Sequence, residues 1–149
     1  LAPQVRGIVG DEITMMLQQN EGHVAVVWSG VAAPLVQENT HYNYVIPKEG
    51  SNLWFDNMVI PKTAQNKEGA YKFMNFLLDA QNSAQNTEWV GYATPNKAAR
   101  SKLPKEVRND HRFYPSKQEQ QRLEVYKDLG QSSLSDYNES FLNFKMSLK

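Results

Sequence analysis

The run HVAVVW, His23 to Trp28, narrows the possible folds more than any other stretch of the chain. It is rich in β-branched residues and almost continuously apolar, which is the pattern of a strand covered on both faces. Strands of that kind are found where helices pack on both sides of a largely parallel sheet. The neighbouring residues agree. Gly10-Asp11 opens a segment with Val9, Ile13, Met16 and Leu17 at helical spacing, and Asn20-Glu21-Gly22 closes it, predicting a short amphipathic helix before the strand. Ser29-Gly30 ends the strand, and the small residues Val31 to Ala33 lead into a brief helix. YNYVIP at 42–47 predicts a second strand, KEGS at 48–51 a turn, and LWFDNMVIP at 53–61 a third strand stopped by Pro61. The order is β-α-β-β, and the fold class it implies is α/β.

The second half reads as helical. Asn66 suits the cap of a helix whose face is Ala70, Phe73, Met74 and Leu77, and the pattern continues or restarts from Gln81 to Val90. GYATPN at 91–96 breaks it with a loop read as rigid and exposed. Pro104 fits the first turn of a further short helix, and Ser116 with Glu119 makes a capping box that starts the next. Leu134, Tyr137, Phe141, Phe144 and Leu148 form an apolar stripe at spacings of three and four, which needs something to pack on.

Composition excludes some partners. The 16 Lys and Arg balance the 16 Asp and Glu, so no global basic field draws the chain to nucleic acid or an anionic membrane. With no Cys there is no disulfide framework or thiolate metal site. His23, His41 and His111 are scattered, no nucleotide-binding glycine loop or nucleophile elbow is present, and no metal or cofactor is expected. No apolar run reaches membrane-spanning length. The start at Leu1, without Met, basic n-region or h-region, reads as a processed or truncated product. At 149 residues the chain has the length of one ordinary domain, which should bury roughly 68–70% of its unfolded surface, or it is part of something larger.

LWFDNMVIP sets a carboxylate among large apolar residues. In a strand, alternation puts Trp54 and Asp56 on one face and Phe55 on the other. An indole beside a carboxylate suits a cationic ligand, the acid supplying charge and a hydrogen-bond acceptor, the ring a cation–π contact of roughly 0.5–2 kcal/mol. The plain alternative is Asp56 at a strand end, solvated or paired with a Lys, and Trp54 in the core. Trp28 stands at the end of its strand, where open α/β sheets place ligands, and Tyr92 lies in the loop between two helices. Each ring has a structural reading too, Trp28 as a core indole and Tyr92 as packing for its turn.

Three segments taken together carry a resemblance: VAVVWSGVAA, VIPKEGSNLWFDNMVIPKTAQNKEGAYKFMNFLLDA and VGYATPNKAAR. Their motifs, in this order and spacing, closely resemble the carboxy-terminal half of bacterial spermidine/putrescine-binding proteins of the PotD type, the solute-binding components of polyamine ABC importers. The likeness runs from about Gly10 to Gly130. It implies a polyamine site in which Trp28 lines the channel, Trp54 and Asp56 box a methylene stem and bind an amine, and Tyr92 completes the aromatic wall. A polyamine alternates ammonium groups with methylene stems, so its site needs aromatic walls interrupted by acids. Tyr126 stands where some members place a glutamine, which leaves the preference between spermidine and putrescine open.

The resemblance also implies an incomplete two-lobe periplasmic-binding-protein-like (type II) fold, closing on ligand about a hinge. Residues 1–55 and 101–149 belong to the second, carboxy-terminal lobe, and 56–100 to the first. The implied partners are a polyamine and the importer's permease, outside the cytoplasmic membrane, with the parent protein free in the periplasm or lipid-anchored as a lipoprotein. Stranded apolar surface on 66–90 predicts a homodimer or an oligomer that exchanges this segment, and the missing first-lobe carboxylates predict weak polyamine binding or none by the chain alone. Three other readings remain: the same fold with a different small solute, a small-molecule enzyme fragment, and an interaction module built on the C-terminal stripe.

Overall fold

The computed structural model describes residues 2–148. They divide into two compact units, residues 2–27 with 126–148, and Trp28–Val125. The chain therefore does not gather into one ordinary domain.

The first unit holds a 3-10 turn at Ala2–Gln4 and two helices, α1 (Ile13–Gln18) and α8 (Gly130–Met146). α1 lies where the spacing of Ile13, Met16 and Leu17 predicts it, and Asn20 closes it at φ 59°. α8 realises the predicted C-terminal helix. Along its stripe Leu134, Tyr137 and Phe141 are exposed, while Phe144 is half-buried. Lys145 Nζ lies 5.0 Å from the Phe141 ring centroid.

The second unit contains α2 (Ser29–Glu38), α3 (Lys67–Leu78), α4 (Ala80–Val90), α5 (Lys97–Lys102), α6 (Lys105–Arg108) and α7 (Lys117–Gln120). Most of their N-termini are set by local side chains. Asn66 Oδ1 accepts from the Gly69 N–H at 2.8 Å, and Glu68 pairs with Lys72 one turn on. Asp79 ends α3 with extended backbone and caps α4 by accepting from the N–H groups of Gln81 and Asn82, so the long helical pattern restarts here. Ser116 and Glu119 form the reciprocal capping box of α7. Small residues make the core: Ala84 of α4 packs with Ala99 and Leu103, and Val107 and Tyr114 close over them. The Thr87 hydroxyl, also buried, donates to the Ser83 carbonyl one turn earlier.

The strands depart from expectation. One ladder is present among the described residues, β1 (Ser51–Asn52) parallel to β2 (Leu123–Glu124). HVAVVW and YNYVIP form no ladder, and LWFDNMVIP contributes only the Leu53 N–H, donated to the Glu124 carbonyl at 2.8 Å. A strand exists only where a second backbone accepts and donates beside it, and among the described residues no segment does so for these runs. Val24 and Val26 are consequently almost wholly exposed. YNYVIP is held by a side chain instead, Tyr44 stacking on Phe113 at 6.1 Å between centroids. The predicted turn is present: the Gly50 N–H donates to Pro47, and Gly50 takes φ +111°, where a Cβ would meet the Arg122 carbonyl oxygen at 2.3 Å. Glycine thus lets the chain pass close to the residue that precedes β2.

Candidate functional site

Four residues were marked by the sequence: Trp28, Trp54, Asp56 and Tyr92. All four belong to the second unit. Trp28 is the N-cap of α2, its carbonyl accepting from the N–H groups of Val31 and Ala32, and its indole is 60% exposed. Trp28 is thus not buried as a core indole. Trp54 is half-buried in the segment that follows β1, and Asp56 is exposed two residues further on.

Tyr92 follows α4. Gly91 ends that helix in the left-handed region at φ +73°, a backbone turn that any other residue except Asn makes reluctantly, and directs the chain into GYATPN. The loop is tied at several points. The Thr94 N–H donates to the Tyr114 hydroxyl at 3.1 Å, the Thr94 hydroxyl meets that of Ser83 at 3.3 Å, and Asn96 Nδ2 donates to the Leu78 carbonyl at 2.8 Å. Asn96 Oδ1 in turn accepts from Ala98 and Ala99 and so caps α5. Tyr114 is steadied by Arg100, whose guanidinium carbon lies 4.1 Å from the ring centroid while its N–H groups donate to the Arg108 carbonyl.

These ties bring Tyr92 against Trp54. The two ring centroids are 5.6 Å apart and the planes are inclined at 73°, an edge-to-face contact that joins residues from two distant segments. Asp56 is exposed and forms no ion pair among the described residues, which is the solvated form of the plain alternative, and because residues 53–60 form no strand here, the alternation that would put it on the face of Trp54 is not realised. The site therefore presents two perpendicular aromatic surfaces with an unneutralised carboxylate two residues along the chain. That arrangement can hold a cation bearing an apolar stem. It contains no nucleophile paired with a base.

A hollow elsewhere in this unit, open and polar, has a volume of about 560 Å³ and is lined by His111, Ser116, Gln118, Glu119, Gln121 and Arg122. It includes none of the four marked residues. Its Glu119 carboxyl is held below the usual carboxylate range by the Ser116 hydroxyl and backbone N–H, with His111 adding to the effect. The bond from the Ser116 N–H belongs to the capping box and gives the carboxylate a structural role. Sequence reasoning missed Gly30, whose lack of a side chain leaves room for the Tyr92 ring, and Tyr114, which holds the loop at Thr94.

Comparison with known proteins places this chain in a family. The profile described as bacterial extracellular solute-binding protein matches residues 7–114. The spermidine/putrescine-binding periplasmic protein of Escherichia coli K12 is 38% identical over 145 residues, which is 97% of this chain and 41% of that protein. Among solved structures, a putative spermidine/putrescine ABC transporter from Listeria monocytogenes superposes with a TM-score of 0.85 at 60% identity, covering 93% of this chain and 43% of the other. The substrate-binding protein PotD of a spermidine/putrescine ABC transporter from Streptococcus pneumoniae gives a TM-score of 0.81 at 45% identity over the same shares. The chain spans about two fifths of the length of these relatives. From its sequence and its fold, this chain belongs to the bacterial extracellular solute-binding proteins.

Proposed function

We propose that the chain supplies part of the binding wall of a protein that captures a polyamine, spermidine or putrescine, and delivers it to the permease of an ABC importer. The observation that carries this reading is the edge contact of Trp54 with Tyr92, with the unpaired Asp56 carboxylate two residues away in sequence. Trp54 and Tyr92 enclose a methylene stem, Asp56 accepts from an ammonium group, and Trp28 lines the approach. The named ligands of the relatives support the same class of solute.

Capture involves no covalent step, and the protein is not an enzyme on this reading. Closure of two lobes about the ligand is the signal read by the permease. One lobe takes in residues 1–55 and 101–149, and the other takes in 56–100. The setting is extracytoplasmic, in the periplasm or at the outer face of the cell membrane by a lipid anchor. The apolar side chains left open on α3 and α4, among them Phe73, Phe76 and the 90% exposed Trp89, favour association of two copies of the isolated chain. A monomeric mass in dilute solution counts against that association.

The test is calorimetric titration of a protein of the relatives' full length that carries this sequence, with spermidine, putrescine and a neutral sugar, repeated for Asp56→Asn. Polyamine binding that weakens sharply in the variant, with no response to the sugar, is the expected result. Binding indifferent to Asp56 or absent for both polyamines moves the ligand to another class of solute.

A further inference from the structure

Gly30 sits inside α2, two residues after Trp28. Its backbone does not need to be glycine: it is not among the positive-φ glycines Gly50, Gly91 and Gly130. Glycine near a helix start also forfeits helix propensity that alanine would supply. The reason for its presence lies across the unit. A Cβ at Gly30 would meet Cε2, Cζ and Cδ2 of Tyr92 at 2.3, 2.4 and 2.5 Å. The ring lies flush on the glycine. Next door, a Cβ at Gly91 would stand 3.5 Å from the Gly30 carbonyl oxygen and 3.6 Å from Ala33 Cβ, so the turn that launches Tyr92 is itself pressed against α2. Pro34 adds to this arrangement, because it has no N–H to offer the Gly30 carbonyl one turn back.

We infer that Gly30 is a positioning residue of the ligand site: its missing side chain seats the Tyr92 ring and thereby fixes the edge contact between Tyr92 and Trp54. The consequence for binding rests on the polyamine reading, whereas the seating itself does not. The atoms that clash with an added methyl group belong to the outer ring, not to backbone. The ring therefore yields while the helix stays, and Tyr92 leaves Trp54.

A cycle of four proteins tests this: the unaltered chain, Gly30→Ala, Tyr92→Ala and the double variant. The first readout is the indole N–H resonance of Trp54 in the chain alone. In G30A it is expected to move towards its position in Y92A, and adding G30A to Y92A is expected to move it no further. Helical content is expected to be unchanged, which separates displacement of the ring from loss of the fold. The second readout is spermidine affinity in a protein of the relatives' full length carrying the same substitutions, expected to fall about three- to tenfold in G30A and no further in the double variant than in Y92A. An unmoved Trp54 resonance in G30A overturns the inference, as does a G30A effect that persists undiminished once the Tyr92 ring is gone. If the rings move as expected but spermidine binds none of the four proteins, the polyamine reading falls and the positioning role of Gly30 stands.

Discussion

The backbone N–H of Thr94 donates to the hydroxyl of Tyr114 at 3.1 Å, across twenty residues of sequence. Tyr114 also closes over the Ala84–Ala99–Leu103 core. One side chain thus connects the packing of α4 and α5 to the loop that carries Tyr92. Tyr114→Phe keeps the ring and removes the acceptor, leaving a part-buried N–H without it at a cost of about 1 kcal/mol. The expected outcome is faster hydrogen exchange at Thr94, with the core amides little changed. Equal exchange in both proteins would show that the loop is held by its other bonds.

Asp56 is the acid most exposed to test by charge alone. Asp56→Asn preserves size and keeps an acceptor but loses the negative charge, so polyamine affinity in the full-length setting is expected to drop roughly 10- to 100-fold. Thermal stability should stay the same, because Asp56 has no ion pair among the described residues to lose. A matching loss of stability would assign Asp56 to the fold.

The Asp110 carboxylate receives Arg112 Nε and Nη2 together with the Arg112 backbone N–H. Its hydrogen bonds to the Arg112 side chain hold it below its ordinary value of 3.8, with burial opposing. A folded-state value below the unfolded one means that the stabilisation is present above pH 3.8 and is lost as pH falls through the folded value. The Asp110 carbonyl also accepts from Phe113 and Tyr114, so this turn aims Tyr114. Asp110→Asn is expected to lower stability at neutral pH and to flatten its decline below that value, as read by melts at a series of pH values.

Asp79 serves two helices, as the end of α3 and the cap of α4. Asp79→Ala is expected to cost about 1 kcal/mol and to lower the melting temperature by several degrees. Asp79→Ser, which retains a capping oxygen, should recover most of it.

What could be read in advance follows the range of the interaction. Asn66, Asp79, Asn96 and the Ser116–Glu119 pair act on N–H groups two or three residues away, so short stretches of sequence contain both partners. Ser51 and Leu123 are neighbours only through the ladder, and nothing near either one announces the other. HVAVVW reads as a strand because its residues suit one, yet the partner it needs is not within these residues. The resemblance assigned Trp54 and Tyr92 to one site but not to direct contact, since the two rings lie in motifs that spacing alone does not connect. Gly30 escaped notice because a Ser-Gly after an apolar run looks like a turn, and the ring that requires it comes 62 residues later.

The two-residue ladder carries a consequence for how the chain can be rearranged. β1 and β2 run side by side in the same direction, so residues 53–122 leave and return at neighbouring strands, about 5 Å apart. Closing so long a loop costs about 4 kcal/mol in chain entropy, which a few hydrogen bonds of about 1 kcal/mol each barely match. The helices between are held by their own caps and alanine core instead. That stretch has the adjoining ends of a cassette, and its exchange between family members is expected to succeed without re-threading the rest of the protein only where the recipient keeps the glycine that seats Tyr92.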